Sequence, residues 1–322
     1  MKWITRWKKI GIKVKQIFKK QPSTQSETDW KSCPKCTKIS YKPDLFDNSY
    51  ICECSFHFDL PPKHRLDDLF DSNYQIIEPP ENINPDPLNF KVEGEGKSYK
   101  YIDKIKKYRK VTGQKTALLC AHGKVSNLNA VVVCFNPKFG GGRFGVAENE
   151  HFLTASTFAI DKKVDIWIVI YQSSGIDVHA GVTGLSGMPK SIIAMNEIKK
   201  NNIPTFCVAA RATAGGTYAS SFFMHDFIII ESKCVENLLF SGKRVTANIL
   251  KGTDQIPDDF GTGPGVMKSG LADITLESRK ELKETISKLA KIILKKEEIK
   301  VNSLEEAYEN PEDFKKTAST SS

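Results

Sequence analysis

The sequence predicts an α/β domain that follows a small cysteine-bearing module. Runs of β-forming residues recur from residue 129 onward and are continuous or nearly so, which is typical of strands buried on both faces. Helical stretches and glycine-bearing turns separate these runs, which are NAVVVCFN, VDIWIVIY, PTFCVAA and DFIIIES. A content of 40% hydrophobic and 26% charged residues over 322 positions indicates one substantial globular domain with a small appendage.

The first 28 residues are predicted to form a basic amphipathic lead and a polar linker. Residues 1–20 carry eight Lys or Arg and no acid, in a chain of net charge +9. The apolar side chains recur at helical spacing, at Trp3, Trp7, Ile10, Val14 and Ile17. A helix here could dock on a partner, an anionic membrane surface or nucleic acid, and a solvated tail is the alternative.

The composition of the chain indicates a cytoplasmic protein with reduced thiols. No stretch is long and apolar enough for a transmembrane segment. The basic lead also lacks the continuous apolar segment and the small-residue cleavage site of a secretory signal. Disulfides are therefore not expected.

Two cysteine pairs define a predicted zinc ribbon. Two residues separate Cys33 from Cys36, and one residue separates Cys52 from Cys54. Four thiolates at such spacing can close a tetrahedral zinc site, and four free cysteines are the alternative. Because the second pair is one residue shorter than the usual C-x-x-C, His57 is a reserve ligand. A zinc with four protein ligands has no open position for substrate, so we expect a structural role.

The remaining boundaries follow changes in composition. The predicted segments are 29–62 for the zinc ribbon, 63–112 for a helical connector, 113–300 for the α/β domain and 301–322 for a C-terminal tail. Within the connector, YKYIDKIKKYRKVTG is typical of a helix ended by a glycine. A long amphipathic helix near the end of the domain is marked by Leu282, Ile286, Leu289 and Ile293.

Glycine-rich loops, rather than catalytic side chains, stand out in the α/β domain. His122, His151, His179 and His225 have no neighbouring nucleophile motif and are interpreted as ordinary surface or core histidines. Glycines recur directly after strands in FGGGRFG (139–145), QSSG (172–175) and ATAGGTYAS (212–220). Glycine permits close backbone approach and positive φ, so these loops suggest N–H groups directed at an anion or a developing oxyanion.

The ordered motifs resemble those of one family, the carboxyltransferase β subunits of bacterial and plastid acetyl-CoA carboxylase. The resemblance extends over nearly the whole chain and rests on the order and spacing of the motifs together. They are MKWITRWKK, the two cysteine pairs, HRLDDLFD, YIDKIKKYRKVTGQKTAL, FGGGRFG, ATAGGTYAS, FSGKRV, IPDDF and GLADI. The resemblance implies a crotonase-like (ClpP/crotonase) spiral of ββα units behind the N-terminal zinc ribbon.

The resemblance also implies which residues form the site. Gly215 and Gly216 match the glycine pair that opens a helix beside the bound substrate. The first glycine-rich loop, which is implied to bind substrate, is matched by Gly141, Gly142 and Gly145, and the zinc ligands are matched by Cys33, Cys36, Cys52 and Cys54.

The chain departs from the family pattern at the implied oxyanion hole. Where the family has Gly-Gly-Ala-Arg, this chain has Ser-Gly-Ile-Asp, so Ser174 and Gly175 occupy the oxyanion position and Asp177 occupies the arginine position. Asn149 also replaces a family glycine in the helix after the first loop. These changes add a Cβ where close approach is needed and reverse a charge near an anionic substrate.

The resemblance implies an active site shared with a related α subunit in an α2β2 assembly. One subunit type holds acyl-CoA, and the other holds carboxybiotin delivered on a biotin carboxyl carrier protein. ATP is used only by the separate biotin carboxylase. Carboxyl transfer, most simply to acetyl-CoA, passes through an enolate after biotin has removed the α-proton. The protein then supplies mainly positioning and N–H donors.

Three interpretations of function follow. The leading one is an acyl-CoA carboxyltransferase β-type subunit, which could also be a paralogue specialised for another acyl-CoA. The second is a non-catalytic scaffold that keeps the fold and the α-subunit interface, as the SSGID stretch suggests. The third is nucleic-acid binding through the ribbon and the basic lead, with phosphate contacts from Lys35, Lys38, Lys42 and Lys63. Lysines around a small zinc module are more often a solvated face.

Overall fold

The structure is a computed structural model that describes residues 29–93, 98–250, 252 and 255–294. The predicted basic lead and C-terminal tail lie outside the described residues. The chain divides into two compact units between Phe58 and Asp59. Within the described ranges, no helix has both the length and the apolar composition that a membrane span requires.

The described part of the first unit, from residue 29 to residue 58, is a β-hairpin followed by a short helix. β1 (Trp30–Ser32) pairs antiparallel with β2 (Ile39–Tyr41), and α1 (Lys42–Asp47) begins directly after β2. Its buried apolar cluster is small and comprises Cys33, Leu45, Cys52 and Phe58. A unit with so small a core needs additional cross-linking to be stable, and a structural metal is one way to supply it.

The second unit contains the remaining described elements. Its strands are β3 (Gln75–Ile77), β4 (Lys91–Val92), β5 (Tyr99–Lys100), β6 (Leu118–Val125), β7 (Leu128–Phe135), β8 (Ile166–Ser173), β9 (Thr205–Ala214), β10 (Phe227–Ile230), β11 (Leu238–Leu239) and β12 (Ile274–Thr275). Its α-helices are α2 (Pro62–Leu69), α3 (Tyr101–Thr112), α4 (Val146–Asp161), α5 (Gly181–Leu185), α6 (Gly187–Lys200), α7 (Gly215–Tyr218), α8 (Lys243–Ile249), α9 (Gly263–Lys268) and α10 (Leu282–Leu294).

One twisted sheet organises this unit, in the order β12-β10-β9-β8-β7-β6-β3, with β11 beside β9. The strands from β7 to β10 pair in parallel with their neighbours, as does β12, whereas β6 and β3 add an antiparallel edge. All eight residues of β8 are buried, as expected for a parallel strand covered on both faces. The four strands predicted from the sequence are confirmed as β7 to β10.

Alternate residues of the central strands contribute to two apolar layers. Val131 and Val133 belong to the layer that contains α4 and α6, whereas Val132 belongs to the layer that contains α2 and α10. The predicted amphipathic helix is confirmed as α10, in which Leu282 and Ile286 are buried. Burial of these stripes against the sheet is the main stabilising contribution to the fold.

The predicted glycine-ended helix in the connector is also confirmed. It is α3, and its C-cap Gly113 has φ +68°, the left-handed conformation that terminates many helices.

Burial raises the pKa of the thiols of Cys120 and Cys207 well above the ordinary value. These cysteines behave as small core side chains, whereas Cys234 is only half-buried.

A buried ionic cluster connects three separate segments of the second unit. Arg65 of α2 donates to both carboxylate oxygens of Glu231, at 2.5 and 3.0 Å, directly after β10. The Nη2 atom of Arg279 lies 3.5 Å from the same carboxylate. Burial lowers the pKa of Arg279 to about 10, although Glu231 acts in the opposite direction.

Candidate active site

The three glycine-rich loops follow β7, β8 and β9. Because these strands are parallel, their carboxyl ends meet at one edge of the sheet, which is where ligands bind in open α/β sheets. The first two loops form a short ladder of backbone hydrogen bonds. The N–H of Ser174 donates to the carbonyl of Gly141 at 2.8 Å, and the N–H of Phe144 donates to the carbonyl of Gly175 at 2.9 Å. The N–H of Asp177 then donates back to Phe144 at 3.1 Å.

The second and third loops touch backbone to backbone at two glycines. Gly175 has φ +106° and Gly215 has φ +61°, conformations that L side chains rarely adopt. A Cβ on Gly175 would lie 2.9 Å from the carbonyl oxygen of Ala214 and 3.4 Å from the Cα of Gly215. Both loops therefore need glycine for conformation, and Gly175 needs it also for close approach.

The backbone donors of this edge divide into occupied and available groups. Gly175 donates its N–H to Ser173 Oγ at 3.1 Å, and Gly215 donates its N–H to the carbonyl of Phe240 at 3.1 Å. Within the described part of the chain, the N–H groups of Ile176 and Gly216 have no hydrogen-bond partner. These two residues are neighbours, since a Cβ on Gly216 would lie 2.4 Å from Ile176 Cγ1. Ile176 and Gly216 are therefore two neighbouring N–H donors that no described group occupies.

The residues of the first loop differ in accessibility. Gly141 is exposed and faces Ser174, which is also exposed. Gly142 is buried with φ +68°, and a Cβ there would lie 1.9 Å from the carbonyl oxygen of Gln172. Gly145 is buried over the carboxylates of Glu148 and Asp177. Of the three glycines implied to bind substrate, Gly141 therefore has the most open position.

A buried ionic network lies behind the first two loops. Arg143 of the first loop forms an ion pair with Asp177 of the second, and the Tyr101 hydroxyl donates to the same carboxylate oxygen. The other oxygen of Asp177 accepts from the backbone N–H of His179 at 3.1 Å, and His179 Nδ1 lies 2.9 Å from it. Glu148 Oε1, 3.5 Å from Arg143 Nη2, accepts the N–H of Ala117 at 2.9 Å.

The charge states of this network follow from burial and pairing. Burial opposes the charge of Arg143, but Glu148, Tyr101 and Asp177 outweigh it and raise the pKa of the guanidinium. Burial is also the main reason that the pKa of Tyr101 is strongly raised, which keeps its phenol protonated as a donor. Asp177 is only 4% exposed. The negative charge of Asp177 is therefore paired inside the protein with Arg143.

The sequence analysis did not predict this network, because neither Arg143 nor Tyr101 was identified as a partner of Asp177. The sequence feature that could have indicated the network was Asp177. A carboxylate placed between apolar residues and close to a glycine loop needs a cation, and FGGGRFG contains one. Only the sheet order shows that the two loops are neighbours.

Asn149 on α4, which the resemblance predicts to replace a glycine, packs against α6. Its Nδ2 donates to the carbonyl of Gly145 at 2.7 Å. A Cβ on Gly187 would lie 1.8 Å from the same Nδ2 atom. Glycine at position 187 thus leaves room for the larger side chain at 149, so the two helices keep a close contact.

Three of the four histidines considered from the sequence are held in buried or packed positions. His151 is buried between Thr116 Oγ1 and the carbonyl of Ile77, at 2.8 and 2.7 Å, and burial lowers its pKa. Burial lowers the pKa of His225 to about 4, so this imidazole is neutral at physiological pH. His179 stacks on the ring of Tyr101, with centroids 4.1 Å apart.

An apolar cavity of about 670 Å³ adjoins the third loop. Its lining includes Tyr218 of α7, Phe240, Val266 and Leu271. The carbonyl of Phe240 accepts the N–H of Gly215, so the cavity wall and the glycine loop share a hydrogen bond. The glycine edge of the sheet therefore has an apolar chamber beside it, as expected for a small-molecule site.

The cysteine cluster of the first unit has the geometry of a four-thiolate metal site. The Sγ atoms of Cys33 and Cys54 are 3.6 Å apart, as are those of Cys36 and Cys52, and all four lie within 4.8 Å of one another. A tetrahedral zinc with Zn–S bonds of about 2.3 Å would separate its sulfurs by about 3.8 Å. His57 does not belong to this group of ligand atoms.

The electrostatics of the cluster also favour a cation. Burial acts to raise the pKa of Cys33, but backbone N–H groups of Cys36 and Lys35 lower it to about 7. Burial and the neighbouring thiols raise the pKa of Cys54 to about 12. Four adjacent thiols cannot all ionise without a compensating charge, and a divalent metal supplies one.

We expect one zinc per chain, and replacing Cys52 and Cys54 with serine should abolish its binding, because two of the four thiolates are removed. Metal analysis of protein purified without chelator measures the stoichiometry. Serine replacements at Cys120 and Cys207, which lie in the core of the second unit, are the matched controls and should retain the metal. Full occupancy in the double Cys52 and Cys54 variant would contradict the assignment.

Comparison with known proteins shows the family to which the chain belongs. A model of the carboxyl transferase domain matches residues 99–320, so the chain is a carboxyltransferase of that domain family. The acetyl-coenzyme A carboxylase carboxyl transferase subunit beta of Pelagibacter ubique (strain HTCC1062) is 32% identical, over 99% of this chain and 100% of that protein. The subunit of the same name from Agrobacterium fabrum is 28% identical over 92% of this chain and 95% of its own length. The chain belongs to this family of carboxyltransferase β subunits.

Solved structures show the same fold at low sequence identity. A transcarboxylase 12S structure matches 72% of this chain with a TM-score of 0.56 and 18% identity, and this chain spans 41% of it. A Pseudomonas malonate decarboxylase hetero-tetramer matches 73% of this chain and 82% of its own chain, with a TM-score of 0.53 and 15% identity. The predicted family, crotonase-like fold and carboxyltransferase class are confirmed.

Proposed function

We propose that this chain transfers the carboxyl group of carboxybiotin, carried on a partner protein, to acetyl-CoA, giving malonyl-CoA. The observation that carries the proposal is the meeting of three glycine loops at one sheet edge, with two backbone donors available there. Similarity to β subunits over the whole chain supports the same reaction. Carboxybiotin supplies the activated carboxyl group and, once decarboxylated, the base.

The protein's own part in the reaction is to position the thioester and stabilise its enolate. The N–H groups of Ile176 and Gly216 are the proposed oxyanion donors, because those of Gly175 and Gly215 are already occupied. Gly175 and Gly215 act by allowing close backbone approach, and Ser174 and Gly141 line the open side. Each preorganised donor typically contributes about 10²–10³ in rate. The apolar cavity beside Phe240 is suited to the apolar part of an acyl-CoA.

Partners and compartment follow from the same proposal. An α-type carboxyltransferase subunit completes an α2β2 heterotetramer, a biotin carboxyl carrier protein delivers the substrate, and a biotin carboxylase uses ATP to load it. Val178 and Val182, which are 81% and 80% exposed, form an apolar surface with Leu185 that suits a partner subunit. A cytoplasmic location belongs to the same proposal, and zinc bound by the four clustered cysteines would hold the first unit together.

The isolated chain should be inactive, and activity should appear on mixing with an α-type subunit, because one half-site cannot present both acyl-CoA and biotin. The assay is carboxyl transfer from malonyl-CoA to biocytin, with assembly followed by light scattering. The matched control is the α-type subunit alone. A monomeric chain with full activity by itself would refute the shared site.

A scaffold without turnover is the second candidate function, favoured by one observation. The N–H of Gly175 is occupied by Ser173 Oγ, whose own hydroxyl donates to Thr217 Oγ1 at 3.1 Å. If the chain is a scaffold, the α-type subunit would bind to it, but no acyl-CoA would be carboxylated. The mixing assay separates the two functions, because both predict assembly and only the first predicts transfer.

A further inference from the structure

The conformation of the second glycine loop depends on contacts from other segments. Its backbone is bonded to the first loop at Ser174, Gly175 and Asp177, through the three hydrogen bonds of the ladder. The available donor Ile176 lies inside this ladder, as the bridge partner of Phe144. Any movement of residues 174–177 would therefore displace a donor of the proposed oxyanion site.

The Asp177 carboxylate accepts hydrogen bonds from three segments of the chain. Arg143 comes from the first loop, Tyr101 from the start of α3, and His179 from the turn that follows the second loop. Its two oxygens accept hydrogen bonds from all of them, so the buried charge is both paired and hydrogen-bonded. Such a carboxylate fixes its surroundings, because no alternative position offers the same partners.

Both ends of this contact are held by further contacts. Arg143 is held between Asp177 and Glu148, and Glu148 accepts the N–H of Gly145 at 3.1 Å and that of Ala117. His179 is stacked on Tyr101 on one side and meets the edge of Phe90 on another. The network therefore connects α3, α4 and both loops through buried side chains.

We propose that Asp177 and Arg143 are positioning residues, whose ion pair holds the Ser174–Asp177 segment so that the Ile176 N–H faces the ligand site. This inference rests on the proposed function for its effect on catalysis, but not for its effect on the loop. Both side chains are buried, Arg143 at 5% and Asp177 at 4% exposure, so the proposed role is to position the loop rather than to contact substrate.

The test on the loop itself uses hydrogen exchange in the full chain. Asp177→Asn removes the charge at nearly constant volume, and Arg143→Gln removes the partner. Each should raise amide exchange in peptides covering residues 139–145 and 172–178. The matched control is Glu231→Gln, which weakens another buried pair with arginine; it should lower thermal stability without raising exchange in these peptides. If either loop variant fails to fold, Arg143→Lys replaces it; this variant keeps the charge but loses the forked contact with Asp177 and Glu148, and should still raise exchange in the same peptides, though less.

The test on catalysis separates positioning from binding. With the α-type subunit present, both loop variants should lower kcat by about 10²-fold while KM for acyl-CoA changes little. The double variant should be hardly worse than either single variant, since both remove one contact. Glu231→Gln should keep the parental kcat below its unfolding temperature.

Two outcomes would overturn the proposal. One is unchanged exchange in the loop peptides of the Asp177 and Arg143 variants. The other is raised exchange with kcat unchanged, which would leave the pair a structural contact only. An inactive parental complex would instead refute the proposed function, and the exchange measurement would still decide whether the pair holds the loop.

Discussion

Replacing Gly142 with alanine should reduce carboxyl transfer by at least about 10²-fold and destabilise the second unit. The new Cβ would lie 1.9 Å from the carbonyl oxygen of Gln172, a backbone atom that cannot rotate away. Gln172 is buried and its Nε2 donates to the carbonyl of Phe135 at 3.1 Å, so the end of β8 is also fixed. The first loop must then move, and displacement of about 1 Å at a site can cost 10²-fold in rate.

Gly113→Ala is the matched control for this substitution. Gly113 has the same φ of +68°, but nothing lies within 4 Å of the position of its added Cβ. It therefore reports the conformational cost alone, about 1–2 kcal/mol. Thermal melts and transfer rates of the two variants measure the difference. Equal losses of stability and transfer rate in the two variants would show that the close contact at Gly142 contributes nothing to the effect.

Asp177→Arg should lower the free energy of unfolding by about 3–5 kcal/mol, the usual cost of leaving a buried charge without its partner. A second guanidinium would be placed beside Arg143 and against the Tyr101 hydroxyl, which would have lost its acceptor. From the sequence alone, restoring the family's arginine together with Ser174→Gly is expected to raise acetyl-CoA transfer in a weakened enzyme. The structure changes that expectation, because an arginine at 177 would lie beside Arg143 and would remove the carboxylate that pairs with Arg143.

Ser174→Gly alone tests whether the serine limits carboxyl transfer to acetyl-CoA. Ser174 is exposed, and its N–H rather than its side chain holds the ladder, so the fold should be unaffected. We expect this variant to keep its melting temperature and to transfer carboxyl groups to acetyl-CoA at least as fast as the parent. Denaturant unfolding and the malonyl-CoA assay measure both quantities. Loss of the native activity in Ser174→Gly would show that the serine is fitted to a different acyl-CoA.

The sequence by itself determined the four central strands, two helices and the family, and it predicted a backbone-lined site. Runs such as VDIWIVIY specify strands because burial on both faces demands continuous apolar residues, and this pattern is local. The spacing of the four cysteines is likewise local, since a metal ligand pair needs only a tight turn between its members. Glycines after successive strands indicated a backbone-lined site, and the order of the motifs indicated the family.

Only the tertiary structure decided which loop residues are available and which are occupied. Gly175 was the natural oxyanion donor from the sequence, but its N–H is taken by Ser173, and Ile176 was not considered. Asp177 suggested a charge facing substrate, but its partner Arg143 is 34 residues away. Both facts depend on β7, β8 and β9 being neighbours in one sheet. Such contacts depend on strand order and loop conformation, which local patterns of burial and spacing do not specify.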